Sequence, residues 1–295
     1  TLYNEHAAHN SGADFIYKGQ LNQSFNFALY TFGFKLKKKR DPLPYYKLNL
    51  YGGYPFAPLL TAEGCPFRCQ YCASELLSGA YQRHSAESVL KNITELYDIG
   101  VKDFAFYDDA LLVDTESHIK PILKRIINSG LDIRLHTPNG LHARFLDEEL
   151  AVLMKMTGFE TIRLSLETIN EDRQNTTGGK VGNEDLVRAV KYLKQNGFTK
   201  ENIGVYLMYG LPGQELEEVR DGVELLKSLN VRINLTEFSP IKGTQAWDEL
   251  VQKGVIKDGL NPLLTNNTVF SYLYSGYDYE EMKNMRLTVK EYNET

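Results

Sequence analysis

From residue 58 onward, two hydrophobic periodicities take turns along the chain. Short apolar runs at 58–63, 102–107, 131–136, 161–166, 202–208 and 232–238, several rich in Ile, Val, Phe or Tyr, read as six buried strands. Between them lie segments whose apolar residues recur every three or four positions. Val89, Leu90, Ile93 and Leu96 fall on one face of a helix that Ser85 can cap and Gly100 can stop. The span Asn183 to Gly197 repeats the design, with Leu186, Val187, Val190 and Leu193 facing inward. Asp147 to Gly158 and Glu215 to Leu229 are two further helices, and Thr115 to Gly130 is another if Pro121 sits in its first turn or kinks it. Strand and helix in regular alternation predict an α/β fold of repeated βα units around a parallel sheet. Six units are too few to close an eight-fold barrel.

The flanks lack this rhythm. Residues 1–57 are expected to be an N-terminal remnant and connector, 58–244 the core, and 245–295 a C-terminal extension. The connector carries Lys35-Leu36-Lys37-Lys38-Lys39-Arg40, followed by Asp41-Pro42-Leu43-Pro44 and Gly52-Gly53, a mixture that resists regular structure. No further basic stripe supports the lysine run, so it reads as a solvated face. In the extension, helices are expected near 246–253 and 279–292, with Asn261-Pro262 and Asn266-Asn267 as loop between them. The net charge of -5 gives no electrostatic footprint for nucleic acid. No run of 18 apolar residues and no signal-like N-terminus occur, and clustered reduced cysteines point to the cytoplasm.

All three cysteines lie in Cys65-Pro66-Phe67-Arg68-Cys69-Gln70-Tyr71-Cys72, directly after the first strand. Three is odd and the spacing is too tight for a disulfide framework. Thiolates this close together suit a soft metal centre: an iron-sulfur cluster, zinc or Cu(I). A closed zinc site or an electron-transfer 4Fe-4S cluster takes four ligands, so three leave one metal position open. A zinc knuckle completed by His84 or an acidic residue is the alternative, and with it a non-catalytic zinc-binding barrel scaffold.

The spacing Cys-x-x-x-Cys-x-x-Cys, with Tyr71 just before the last cysteine, resembles the signature of the radical S-adenosylmethionine (SAM) superfamily. Tyr209-Gly210-Leu211-Pro212-Gly213-Gln214 resembles its Gly-Leu-Pro-Gly turn, and Pro240-Ile241-Lys242-Gly243-Thr244 its Pro-x-x-Gly-Thr ending. The resemblance implies a partial (β/α)6 TIM-like barrel, with chemistry at the C-terminal ends of the strands. It also implies a 4Fe-4S cluster on Cys65, Cys69 and Cys72, whose open iron chelates SAM and whose electron cleaves it to a 5'-deoxyadenosyl radical. An electron donor such as flavodoxin or ferredoxin is implied as partner. Ser11 to Gln20 is similar to the end of the cobalamin-binding domain in one large subclass, which implies a cobalamin-dependent methyltransferase with that domain largely absent. The Asp-x-His-x-x-Gly cobalamin motif does not occur in this sequence, and a cobalamin-independent radical SAM enzyme remains the alternative.

The same resemblance assigns roles at the strand ends. Phe106-Tyr107-Asp108-Asp109 is similar to a Phe-x-Asp-Asp pattern that contacts the SAM amino group, without separating Asp108 from Asp109. After strand three, His136 or Asn139 is placed near the mouth. Ser165 and Glu167 match polar positions that contact SAM. By strand alternation they share a side with Arg163, and an Arg163–Glu167 ion pair is the structural alternative. In Thr176-Thr177-Gly178-Gly179-Lys180, the lysine is the implied partner of the methionine carboxylate. Tyr71 is implied to lie near the adenine, and Met208 near the adenosine, although a strand methionine also fits a core.

Overall fold

The computed structural model describes residues 12, 29–33, 55–78, 80–176, 178, 179 and 181–295. Within these, six strands form one sheet: β1 (Phe56–Leu59), β4 (Asp103–Phe106), β5 (Arg134–His142), β6 (Phe159–Glu167), β7 (Ile203–Tyr209) and β8 (Arg232–Glu237), hydrogen-bonded in that order. Every neighbouring pair is parallel. A separate antiparallel pair, β2 (Ala62–Glu63) and β3 (Gln82–Arg83), follows the first strand. The expected run 58–63 is therefore split, because the backbone after Leu59 turns aside into the cysteine loop.

Helices α1 (Ser74–Ser78), α2 (Ala86–Asp98), α3 (Ile119–Ser129), α4 (Glu148–Met156), α5 (Glu171–Thr176), α6 (Asn183–Gln195) and α7 (Leu216–Ser228) fill the crossovers. Ser85 caps α2 by accepting from the Ser88 N–H. Pro121 sits in the first turn of α3, where a missing N–H does no harm. On α6 the inward face is Leu186, Ala189, Val190 and Leu193, whereas Val187 is exposed. The expected register was thus off by part of a turn: Ala189, too small to stand out in a hydrophobic pattern, lies in the buried stripe.

The sheet has two unlike faces. Ile203, Val205 and Leu207 of β7 are fully buried, each contributing roughly 1.5–3 kcal/mol by leaving water. Leu207 meets α7 so closely that a Cβ at Gly222 would lie 2.9 Å from its Cδ1. The alternate residues Gly204, Tyr206 and Met208 face the concave side, which carries polar groups from other strands. That side is the lumen of the open barrel.

The extension adds α8 (Gln245–Gln252), α9 (Asn267–Tyr274) and α10 (Tyr279–Glu294). α9 and a 3-10 turn at Pro262–Thr265 stand where loop was expected. Their asparagines belong to helix starts: Asn261 accepts from the Leu263 N–H, and Asn266 directly precedes α9. Trp247, Phe238, Phe270 and Leu211 form a second core here. α10 buries Met282, Met285 and Val289 against the main core. Its Asn293 exchanges two 2.9 Å hydrogen bonds with the Ile233 backbone, which covers part of the β8 edge. Among the described residues no helix is long and apolar enough to cross a membrane. The segments Ser11 to Gln20 (Gly12 apart) and Lys35 to Arg40 lie outside the described residues.

Candidate active site

The cysteine loop is anchored at its root by a buried carboxylate. Asp108, just past β4, accepts through Oδ1 from the Thr61 N–H (2.9 Å), the Thr61 hydroxyl (2.6 Å) and the Ala62 N–H (2.7 Å). Its Oδ2 is buried with no hydrogen-bond partner among the described residues. Burial pushes this carboxyl up to about 6, against the pull of the three donors. The Thr61 hydroxyl gives its proton to Asp108, so His118, 2.8 Å away, donates from Nε2. Burial presses the His118 imidazole down to about 4, in keeping with this neutral form.

Beyond that root, aromatic packing fixes the loop. The Phe67 ring lies 4.7 Å from His142 and 6.1 Å from Phe145. The Arg144 guanidinium stacks over both phenyl rings and donates to the Gly179 carbonyl. The Gln70 carbonyl accepts from the Ala246 N–H (2.9 Å), docking α8 onto the loop. Opposite the buried Cys69, Gly178 has φ +91, and a Cβ there would stand 2.9 Å from the Cys69 sulfur. Only glycine lets this second loop close so tightly over the thiol.

None of the three cysteines is in a disulfide; Cys69 is buried, Cys65 half-buried and Cys72 exposed. The Cys72 sulfur accepts from the Ser74 N–H at 3.4 Å. Among the described residues, no three Cys, His, Asp or Glu side chains stand close enough to hold a metal ion as they are. His84, the candidate fourth zinc ligand, faces Glu63 at 3.7 Å. The donor set is three soft thiols on one tethered loop, with no fourth cysteine in the sequence. It fits a cluster that keeps one iron open, and does not complete a four-ligand zinc site.

The topology brings the other candidates to the same rim. Asp108 and Asp109 follow β4 but divide sharply: Asp108 is buried and holds the loop, while Asp109 is exposed. Asn139 donates to the Tyr107 (2.9 Å) and Asp108 (3.3 Å) carbonyls. It reaches them because β5 continues six residues past its expected end and bulges: Thr137 pairs with Ile162 and Leu141 with Leu164, so Pro138, Asn139 and Gly140 stand out of register. Ser165 is buried against Gly140, where a Cβ would lie 2.1 Å from its hydroxyl oxygen. Glu167 is buried at the end of β6 with φ +66. Tyr71 packs beside the Trp247 cluster, as does Met208. Lys180 lies outside the described residues.

Two expectations are corrected. His136 is not at the mouth: it lies low in the lumen, 3.2 Å from Asp103 and 3.1 Å from the Thr161 hydroxyl, because β5 is longer than its apolar run. Arg163, Ser165 and Glu167 do not form one regular row. A register shift between Ser165 and Glu167 breaks the alternation, and Arg163 donates instead to the Ile162 (3.3 Å) and Asn202 (3.5 Å) carbonyls. Among the described residues there is no Arg163–Glu167 ion pair.

An open parallel barrel with a three-thiol loop at the C-terminal rim of its first strand defines an α/β core with a candidate soft-metal site at its mouth. Residues 59–226 match the radical SAM superfamily, and the chain belongs to it. Over 218 residues it is 28% identical to an uncharacterised methyltransferase of Pyrococcus horikoshii, covering 73% of this chain and 46% of the relative. A probable threonylcarbamoyladenosine tRNA methylthiotransferase of the same organism is 25% identical over 72% of this chain and 52% of its own length. The chain thus spans about half the length of these curated relatives. Among solved structures, the radical SAM methyltransferase TsrM from Kitasatospora setae, bound to tryptophan and a SAM analogue, superposes with TM-score 0.62 at 20% identity, over 73% of this chain and 42% of TsrM. Coproporphyrinogen III oxidase from Escherichia coli superposes at 0.52 with 16% identity, over 78% and 55% of the two chains, and shares the fold.

The sequence reading missed the Thr61–Asp108–His118 network and the Gly178–Cys69 closure. Both join residues more than 40 positions apart, which no local pattern connects. One signal was present: a threonine closing the first strand and an acid closing the next sit side by side when the strands are parallel.

Proposed function

We propose that this chain is the core of a radical SAM enzyme that binds a 4Fe-4S cluster through Cys65, Cys69 and Cys72 and takes SAM at the rim beside it. The observation carrying this reading is the three-thiol loop, pinned at its root by Asp108 and closed over Cys69 by Gly178. When bound, the cluster supplies the electron that cleaves the SAM sulfonium to a 5'-deoxyadenosyl radical. The protein's own part is placement. Exposed Asp109 suits the ammonium of the methionine moiety, Ser165 and Glu167 the polar ribose side, and Lys180 the carboxylate. Asp108 holds the loop and Asn139 supports the β4 turn. Tyr71, with the Trp247 cluster behind it, offers an apolar wall for the adenine.

Methyl transfer is the proposed outcome. The 28%-identical relative is named a methyltransferase, and a TsrM structure has cobalamin and a 4Fe-4S cluster bound. Cobalamin is the proposed second cofactor, although the sequence has no Asp-x-His-x-x-Gly motif and supplies no ligand for it. An electron donor such as flavodoxin or ferredoxin, and residence in the cytoplasm, complete the proposal. The test is electron paramagnetic resonance of anaerobically reconstituted, reduced protein with and without SAM, alongside iron, sulfide and 5'-deoxyadenosine analysis. A reduced-cluster signal that changes on adding SAM is the expected result. Stoichiometric zinc without sulfide would overturn it.

A further inference from the structure

One cysteine of the loop has a side-chain partner whose part in the chemistry is still unassigned. The Cys72 sulfur lies 3.2 Å from the Ser74 hydroxyl oxygen and accepts from the Ser74 N–H at 3.4 Å. In the free thiol it is the sulfur that donates to the hydroxyl. A thiol that ligates a metal gives up its proton, and its sulfur can then only accept. The Ser74 hydroxyl has no other hydrogen-bond partner among the described residues, so it is free to turn and donate.

This contact spans only two residues, so it travels with Cys72 when the three thiols gather around a cluster. Ser74 is itself held in place. It opens α1 directly after Ala73, which is 2% exposed, and further along α1 the Leu76 side chain rests on Gly243, where a Cβ would lie 3.2 Å from its Cδ1. Cys72 is the exposed ligand, where water also competes for the sulfur. A donor fixed by the fold has already met the ordering cost that a bound water must meet each time.

We propose that Ser74 is a positioning residue for electron uptake: its hydroxyl donates to the Cys72 sulfur and favours the reduced form of the cluster. This rests on the radical SAM reading, which puts the cluster on that sulfur. One electron, supplied by the one-electron carrier of the proposed function, reduces the cluster with no bond broken and no proton moved. The added negative charge is shared by the ligand sulfurs, so a hydrogen bond donated to one of them raises the reduction potential. The main-chain N–H is present whatever residue stands at 74. The hydroxyl is what the serine side chain adds.

The test is a redox titration of the anaerobically reconstituted chain, with dithionite as reductant and without SAM, followed by electron paramagnetic resonance in the parent, Ser74→Ala and Ser74→Thr. At a fixed ambient potential Ser74→Ala should lower the reduced-to-oxidised ratio at least about threefold, or about 30 mV at about 59 mV per tenfold for one electron. Ser74→Thr keeps the hydroxyl and should stay with the parent, with iron and sulfide per chain equal in all three. An unchanged midpoint in Ser74→Ala, or an equal shift in Ser74→Thr, would make Ser74 only the first residue of α1 and overturn the proposal. Should Ser74→Ala fail to hold the cluster, Ser74→Val against Ser74→Thr, alike in shape, makes the same comparison, with the lower potential expected for valine. Formation of 5'-deoxyadenosine by the parent separates the two readings. Cleavage without a shift removes the role of Ser74 alone, a shift without cleavage removes the radical chemistry alone, and zinc without sulfide removes both.

Discussion

Two buried charges, one at the rim and one between helices, are treated in opposite ways. Lys120, 3% exposed along its side chain, lies between α3 and α4 and donates to Glu116, Asp147 (2.8 Å) and Glu149 (2.8 Å). All three ammonium protons have an acceptor. Burial works against its charge, but the hydrogen bonds it donates to Asp147, Glu116 and Glu149 outweigh it and raise its pKa. Asp108 has no cation among its partners, and one of its oxygens has no partner among the described residues. A buried charge whose task is to staple two helices is fully paired. The one at the rim of the candidate site carries an unmet demand, because its three donors converge on one oxygen and leave the other buried without a partner among the described residues.

The largest expected effect comes from removing the under-satisfied partner. Asp108→Ala would strand the Thr61 and Ala62 N–H groups, each buried and each worth about 1–3 kcal/mol when orphaned, and leave the Thr61 hydroxyl with His118 alone. The expected loss in urea unfolding is about 3–5 kcal/mol, with failure to retain the cluster after reconstitution. Asp108→Asn keeps an acceptor for those donors and should stay within about 1 kcal/mol of the parent. Equal losses in the two variants would show that hydrogen bonding is not what the carboxylate contributes.

Breaking the satisfied cluster should do less. In Lys120→Met the three carboxylates, all about half exposed or more, return to water while the apolar stem is kept. A loss of about 1–3 kcal/mol is expected, with cluster content and SAM cleavage unchanged. A change in the cluster's spectrum would mean that the staple reaches the site, and would dissolve the contrast between the two charges.

A still smaller effect separates backbone strain from crowding at the rim. Gly178 and Gly179 both have positive φ, +91 and +55, so alanine at either costs roughly 1–2 kcal/mol. Only at Gly178 would the new methyl meet the Cys69 sulfur; at Gly179 nothing lies within 4 Å. Both variants should lose similar stability, and only Gly178→Ala should lose cluster loading, measured as iron and sulfide per chain.

The same division between local and long-range contacts explains how far the sequence could be read. All six strands and the five longer helices between them were legible, because each is specified by its own periodicity and caps, as Ser85 and Asp147 illustrate, whereas the short α1 and α5 were not expected. The cysteine loop was legible from spacing alone. The end of β5 was not, since Pro138-Asn139-Gly140 spells a turn and only the bulge against β6 keeps it in the sheet. Nor was the split between Asp108 and Asp109, which depends on Thr61 arriving from another strand. Arg163 was expected to share a side with Ser165 and Glu167, with an ion pair to Glu167 as the alternative, because strict alternation was assumed past Ser165, where φ +66 at Glu167 breaks it.

The smallest expected effect arises from cancellation within the rim network. Asp108 has a folded value near 6 against an ordinary 3.8. Between about pH 4 and 6 the folded chain keeps a proton there that the unfolded chain has released, so this group lowers stability as pH rises. His118, pressed down to about 4 from 6.5, does the reverse. Over nearly the same window the unfolded chain carries a proton that the folded one lacks, and stability rises with pH. Glu149, held near 2 by Lys120 and Lys124, keeps its contribution above its ordinary 4.5 and loses it only as pH falls toward 2. The urea midpoint of the parent should therefore change little between pH 4.5 and 6, by less than about 1 kcal/mol in stability. In Asp108→Asn the falling component is gone and the midpoint should climb with pH across that window. Groups elsewhere cancel when the two profiles are subtracted. Parallel profiles would mean that Asp108 titrates near its ordinary value, and the rim carboxylate would then be no more strained than the staple.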